Sequence, residues 1–219
     1  MRRAVCVLLI ALSAPAWGQG VHPITGRHYA GVMGAAGADW LVRPEREAEE
    51  HPDAALDAIG IAKGSTAADI GAGVGYMTWR MAERVGPTGK VYANDIQQKM
   101  LDLLQKNMQQ RKLTNVETVL GTYDDPKLPA NTMDLVLLVD VYHEFSEPQK
   151  MLRHIRDSMK PDGRMVLLEY RAEDPAVPIR PEHKMTVEQA KSEVEPEGFR
   201  LDRVLETLPR QHILIFRKN

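Results

Sequence analysis

Apolar and polar positions along this chain fall into two alternating rhythms. Ala55, Leu56 and Ile59 give one apolar face to a helix that Pro52 starts, with His51-Pro52 as the turn and Gly60 as the end. Thr66–Ile70 is then a short strand, followed by a glycine-rich stretch and a helix whose Met77, Met81 and Val85 share a face. Gly86-Pro87-Thr88-Gly89 is a turn, and the next strand runs from Lys90 to Asn94 and ends at Asp95. "QQKMLDLLQKNMQQ" puts Met100, Leu101, Leu104 and Met108 on one side of a helix, and Val116–Leu120 is a third strand. "MDLVLLV", Met133–Val139, is an uninterrupted apolar strand of the kind buried on both faces. Ser146 with Gln149 reads as a capping box ahead of a helix with Pro148 early in it. Pro161-Asp162-Gly163 turns into a fifth strand, "RMVLLEY", and Thr186 with Gln189 caps another helix. The tail, "FRLDRVLETLPRQHILIFRKN", reads as an antiparallel hairpin joined at Pro209.

This order predicts an α/β fold. It is a Rossmann-like three-layer sandwich with a mostly parallel seven-stranded sheet, closed by an antiparallel C-terminal hairpin. Residues 52–219 make the main domain, and the mixed, polar residues 19–51 a cap or lid in which Tyr29, Trp40, Arg43 and Arg46 face a pocket. No long insertion precedes the hairpin, only "RAEDPAVPIRPEHK", so any lid comes from residues 20–50. Ligands of such sheets sit at the carboxyl ends of the strands near the switch in strand order. Attention therefore goes to Asp69–Tyr76, Asp95, Gly121–Asp125, Val139–Glu144 and the residues after Glu169.

Composition adds exclusions. The 219 residues carry 28 basic against 30 acidic side chains, with no basic excess to track a nucleic-acid backbone. The N-terminus stands apart. Arg2 and Arg3 precede an apolar run that ends in Ala14-Pro15-Ala16, the pattern of a secretory signal peptide over residues 1–18. The run is too short for a comfortable membrane span. The leader predicts an exported chain, periplasmic or secreted, with no stable membrane span after its removal. An unprocessed leader predicts a cytoplasmic one. Cleavage would also remove Cys6, the only cysteine, leaving no thiol for a disulfide, a metal or a nucleophile.

The glycine stretch "DIGAGVGY", Asp69–Tyr76, lacks the Gly-Lys-Ser/Thr ending of a phosphate loop. Tyr76 stands where the dinucleotide fingerprint has its third glycine. Asp95, at the end of the following strand, is placed to accept both hydroxyls of a ribose. Ribose recognition without a pyrophosphate cradle points to a nucleoside ligand.

"AADIGAGVGY", "VYANDI", "MDLVLLVDVYHEFSEP" and "LRHIRDSMKPDGRMVLLEY", in that order, resemble the class I S-adenosylmethionine-dependent methyltransferases, in particular the small ubiquinone-biosynthesis-like group. The resemblance runs from about Pro52 to Lys218. It implies that Asp69 binds the ammonium of the methionine part, and that Gly71, Ala72, Gly73, Gly75 and Tyr76 form the loop approaching that part. It further implies Asp95 on the ribose, Ile96 against the adenine, and Val139 and Asp140 at the methionine end. Many relatives have a Gly-Asp pair on the adenine amino group. Here the stretch is Gly121-Thr122-Tyr123-Asp124, which gives that contact to Asp124.

A sulfonium methyl is already activated, so the protein mainly aligns the acceptor, and a base is needed only when a proton must leave. "DVYHEF" offers Tyr142, His143 and Glu144 as catalytic candidates, His143 first because its pKa lies near neutrality. The absence of an Asn/Asp-Pro-Pro-Tyr/Phe stretch lowers amino-group chemistry, leaving a small-molecule or lipid-like acceptor. His22, His28, His51, His154, His183 and His212 show no ligand spacing, so no metal is predicted. Two other readings stand beside this one: an NAD(P)-dependent reductase on a Rossmann fold, against which Tyr76 argues, and an adenosyl-binding module without turnover.

Overall fold

The computed structural model describes residues 20–219. The leader expected over residues 1–18 lies outside them. Among the described residues no helix is long and apolar enough to cross a membrane.

The sheet runs β3 (Val116–Leu120), β2 (Lys90–Asp95), β1 (Thr66–Ile70), β4 (Met133–Val139), β5 (Met159–Arg171), β8 (Gln211–Lys218), β7 (Phe199–Leu205). The five strands from β3 to β5 are parallel, and β8 and β7 close the sheet antiparallel. The seven-stranded expectation gains one short piece: β6 (Lys184–Met185) pairs with the end of β5 at Tyr170 and Arg171. Strand order reverses between β1 and β4, so a crevice opens at their carboxyl ends.

Among the described residues six α-helices flank the sheet: α1 (Glu45–Glu50), α2 (Pro52–Ile59), α3 (Thr78–Val85), α4 (Gln98–Gln110), α5 (Pro148–Ser158) and α6 (Val187–Val194). The apolar stripes of α2, α3 and α4 are those read from the spacing. Met81 and Val85 of α3 are fully buried with Ala55 and Leu56 of α2 on one side of the sheet. Leu152 and Ile155 of α5 pack with Tyr142 and Phe216 on the other. Each fully buried large side chain contributes roughly 1.5–3 kcal/mol, which is what holds the two layers to β4, apolar on both faces.

The two expected capping boxes part ways. Thr186 and Gln189 exchange the reciprocal hydrogen bonds at the start of α6. At α5 the N-cap is Glu147, with no side-chain cap, and Ser146 lies outside the helix. Pro148 takes the first helical position; its missing N–H and preset φ make the boundary without a hydroxyl.

Residues 20–50 lie across the carboxyl end of the sheet. A 3₁₀ helix over Ala35–Val42 is tied to the start of α4 through Gln97, whose Oε1 accepts from Ala35 N at 3.0 Å and whose Nε2 donates to Met33 O at 2.9 Å. Further up, Arg27 is buried and forks onto Glu193 of α6 at 2.9 and 3.1 Å while donating to His143 O at 3.0 Å.

Candidate active site

A cavity of about 630 Å³ opens at the strand-order reversal, within the range of about 300–1,000 Å³ typical of small-molecule sites. The chain builds it from the end of β1 outward. Gly71 and Gly73 follow β1 with φ of 68° and 53°, a backbone that side chains rarely adopt. A Cβ on Gly71 would run into Val141. Ala72 N donates to Asn94 O at 2.8 Å, stitching the loop to β2. Asp95 closes β2 with both carboxylate oxygens engaged: Oδ2 accepts from Gly73 N at 3.0 Å and Oδ1 from Gln97 N at 2.9 Å. Each oxygen keeps a lone pair for a ligand hydroxyl.

Asp69, Gly71, Ala72, Gly73, Tyr76, Asp95, Ile96, Val139, Asp140, His143 and Glu144 all line this cavity. Three expected site residues do not. Gly75 points at α4, where a Cβ would sit 2.9 Å from Met108 Cε and 3.0 Å from Leu104 Cγ, so it serves helix packing. Asp124 turns onto Thr122 at 2.7 Å, and its neighbour Tyr123 reaches the cavity instead. Tyr142 is fully buried in the core under α5, edge-on to Phe145, with a hydroxyl that has no hydrogen-bond partner. In the short 3₁₀ turn Tyr142–Glu144, successive side chains point about 120° apart, so Tyr142 faces the core while His143 and Glu144 face the cavity.

Three charges gather at the β1 and β4 ends. Asp69 accepts from Thr78 Oγ1 at 2.5 Å, and burial pushes its carboxyl up to about 7, against the pull of Thr78 and Arg46. Asp140 takes a left-handed backbone at φ 51°. Its Oδ2 accepts from Gln211 Nε2 at 2.8 Å, while Oδ1 is buried without a partner. Burial, then the charges of Glu50 and Glu169, raise its pKa. Arg46 of α1 lies over the Tyr76 ring at 4.1 Å, donating to Glu50 at 2.8 Å and Leu41 O at 2.8 Å.

Behind the cavity wall Glu169, near the end of β5, is fully buried. Its Oε1 accepts from Tyr142 N at 3.0 Å and its Oε2 meets His143 Nδ1 at 2.6 Å. That pairing directs His143 Nε2 away from Glu169, and it lies 3.1 Å from His183 Nδ1. Burial opposes the charge on His143, but the Glu169 charge and hydrogen bond outweigh it and leave its pKa raised. Burial, then the neighbouring His143, lowers that of His183. Burial pushes Glu144 up to about 7 despite His143 beside it. The ligand atoms of His143, Glu144 and His183 all lie within 4.8 Å of one another. Chain spacing predicted no such set, because 40 residues separate the two histidines.

Of the cap residues expected at the pocket, Trp40 and Arg46 line it, with Met33 and Leu41. Tyr29 is buried elsewhere, and Arg43 stacks on the Trp40 ring at 3.8 Å. The expectation that any lid comes from residues 20–50 alone is corrected: Pro178, Ile179, Arg180 and His183 of the segment before β6 also line the cavity. The strand-end rule pointed to the residues after Glu169, which include Pro178–Arg180 and His183, but singled out none of them.

The family described as "Methyltransferase domain" matches residues 61–207. The chain belongs to that family. This methyltransferase is 31% identical over 116 residues to the ubiquinone/menaquinone biosynthesis C-methyltransferase UbiE of Escherichia fergusonii and to that of Salmonella arizonae. The match takes in 52% of the chain and 46% of either relative, so the chain spans about half the length of those curated relatives. Among solved structures it is similar to a SAM-dependent methyltransferase from Aquifex aeolicus, with a TM-score of 0.80 and 26% identity over 84% of this chain and 98% of that one. A type 11 methyltransferase from Sulfolobus solfataricus shares the fold at a TM-score of 0.65 and 20% identity, covering 78% and 94% of the two chains. The domain is an S-adenosylmethionine-dependent methyltransferase domain.

Proposed function

We propose that this chain transfers the sulfonium methyl of S-adenosylmethionine to a small-molecule or lipid-like acceptor seated against His143. The observation that carries this reading is the charge pattern on the cavity wall. Arg46 faces Asp69 and Asp140, with an unpartnered Asp140 oxygen, beside the Gly71–Gly73 cradle and Asp95. A zwitterionic amino acid joined to a ribose is the ligand whose charges and hydroxyls match that order. Arg46 would hold its carboxylate, Asp69 and Asp140 its ammonium, and Asp95 the ribose hydroxyls, with Ile96 against the adenine. Bound there, the cofactor supplies an activated methyl group. Gly71 and Gly73, lacking side chains, let the backbone approach the ligand at that end, and Met33, Leu41 and Trp40 shield it from water.

The acceptor end is walled by Phe145, Met151 and Ile179, which supports an apolar molecule. The UbiE relatives are named for quinone biosynthesis, and that chemistry fits such a wall. Glu169 fixes the His143 ring so that Nε2 faces the acceptor and can take its proton. Direction of the nucleophile along the carbon–sulfur axis comes from the walls rather than from any covalent step.

Calorimetric titration with S-adenosylmethionine and S-adenosylhomocysteine tests the cofactor site. Asp95→Ala should weaken binding by roughly 1.5–3 kcal/mol, the worth of hydrogen bonds to a charged group. No binding to either compound at millimolar concentration sinks the transfer reading. The leader supports export, and N-terminal sequencing of protein from cell fractions checks it. A chain beginning just after residues 16–18 outside the cytosol is the expected result; an intact Met1 in the cytosol overturns it.

A further inference from the structure

Three side chains at the acceptor end of the cavity bring three potential ligand atoms within 4.8 Å of one another. His143 Nε2 and His183 Nδ1 are 3.1 Å apart, with their rings at 85° to each other. Two nitrogens ligating one zinc ion at about 2.0–2.1 Å in a tetrahedron lie about 3.3–3.4 Å apart. Glu144 completes the set, its carboxylate oxygen within 4.8 Å of both ligand nitrogens. An N–H···N bond joins the two rings along one edge of this triangle, and Glu144, which accepts from the Met33 backbone N–H, keeps lone pairs for a further ligand.

We propose that His143, His183 and Glu144 bind one first-row divalent cation, zinc foremost, with an open position facing the cavity. Two imidazoles and a carboxylate suit zinc better than magnesium or calcium, which take oxygen ligands. The supporting shell is already built. Glu169 Oε2 meets His143 Nδ1 at 2.6 Å and so leaves Nε2 as the ligating atom, the carboxylate–histidine arrangement that orients metal ligands. Tyr142 N holds the other Glu169 oxygen at 3.0 Å. His183 is placed by the 3₁₀ turn Pro181–His183 and by the pairing of β6 with β5 immediately after it. Two short turns, one after β4 and one before β6, thus bring all three ligands to within reach.

Binding of the ion stands independently of methyl transfer; its use there rests on the reading above. With the cation present, Nε2 serves as a ligand. An acceptor hydroxyl or thiol then coordinates the ion at the open position and loses its proton to water, so the cation takes over the task of making the nucleophile anionic.

Zinc titrated calorimetrically into metal-stripped, tag-free full-length protein should bind at one equivalent, and cobalt should give visible absorption of four-coordinate intensity. His183→Ala, at a half-buried position, should weaken zinc at least tenfold, and Glu144→Gln should do the same. Glu169→Gln should cost about 10–100-fold by loosening the His143 ring. Magnesium should not compete. The absence of stoichiometric binding overturns the proposal, as does affinity equal in wild type and His183→Ala. Zinc binding in a protein that ignores S-adenosylmethionine would leave this site standing and remove the transfer reading. S-Adenosylmethionine binding without zinc binding would do the reverse.

Discussion

Tyr142 and His143 are neighbours in sequence with opposite fates, and the 3₁₀ turn that separates them makes a prediction for each. His143 faces the cavity with Glu169 behind it. Tyr142 buries its hydroxyl near the Glu193 carboxylate, outside full hydrogen-bond geometry. Such a contact is worth less than a formed hydrogen bond to a charged group, about 1.5–3 kcal/mol. Tyr142→Phe should therefore change stability by less than about 1 kcal/mol, with affinity for S-adenosylmethionine intact. A larger loss, measured by calorimetry, would show that the hydroxyl donates to Glu193. The motif "DVYHEF" named three positions as candidates, of which His143 and Glu144 line the cavity and Tyr142 does not. It could not say which side chains turn toward the ligand, because that depends on where the turn leaves β4.

At the scale of elements, the glycine stretch divides its work. Gly71 and Gly73 belong to the cavity wall, and Gly75 belongs to the contact between the loop and α4. All three have positive φ, so alanine is strained at any of them. The consequences should differ. Gly71→Ala drives a methyl into Val141 at the cofactor end and should abolish binding along with some stability. Gly75→Ala meets Leu104 and Met108 and should cost about 1–3 kcal/mol of stability, with near-normal affinity in the protein that folds. Urea unfolding paired with calorimetric binding separates the two; equal loss of affinity in both variants would return Gly75 to the site. Helices α2, α3 and α4 and the hairpin were legible from periodicity, since each buries a continuous stripe against the sheet. The start of α5 was not, because Pro148 sets it without the hydroxyl that the pattern leads one to expect.

For the whole molecule, the sharpest consequence of assembly is electrostatic. Burial raises the Asp69 carboxyl from the usual 3.8 to about 7. Thr78 on α3 and Arg46 on α1 favour its charged form, and Asp95 at the end of β2 opposes it. Between about pH 4 and 7 the unfolded chain has released this proton while the folded chain keeps it. The Asp69 contribution to stability therefore falls as pH rises through that window and levels off above it. A cofactor ammonium needs the ionised form. Affinity for S-adenosylmethionine should accordingly rise with pH up to about 7, close to tenfold per unit, then flatten, with a proton released on binding. Titrations in two buffers of different ionisation heat measure that proton. Asp69→Asn should lower the slope, and affinity in the wild type that is flat from pH 5.5 to 7.5 would refute the ammonium assignment.

Local pattern, by itself, determined the alternation of strands and helices, the parallel sheet with its closing hairpin, and the strand ends at which the cavity opens. These follow from short-range rules: side-chain period, glycine and proline placement, and the position of a residue at a strand end. Only the tertiary structure decided that Arg46 faces Asp69 and Asp140, that Pro178–Arg180 completes the cavity, and that His183 meets His143 and Glu144. Those residues lie far apart along the chain. Their meeting depends on the order in which β1, β4 and β5 pair and on the short β6 strand that fixes His183. Spacing along a sequence holds no information about such contacts until the sheet is assembled.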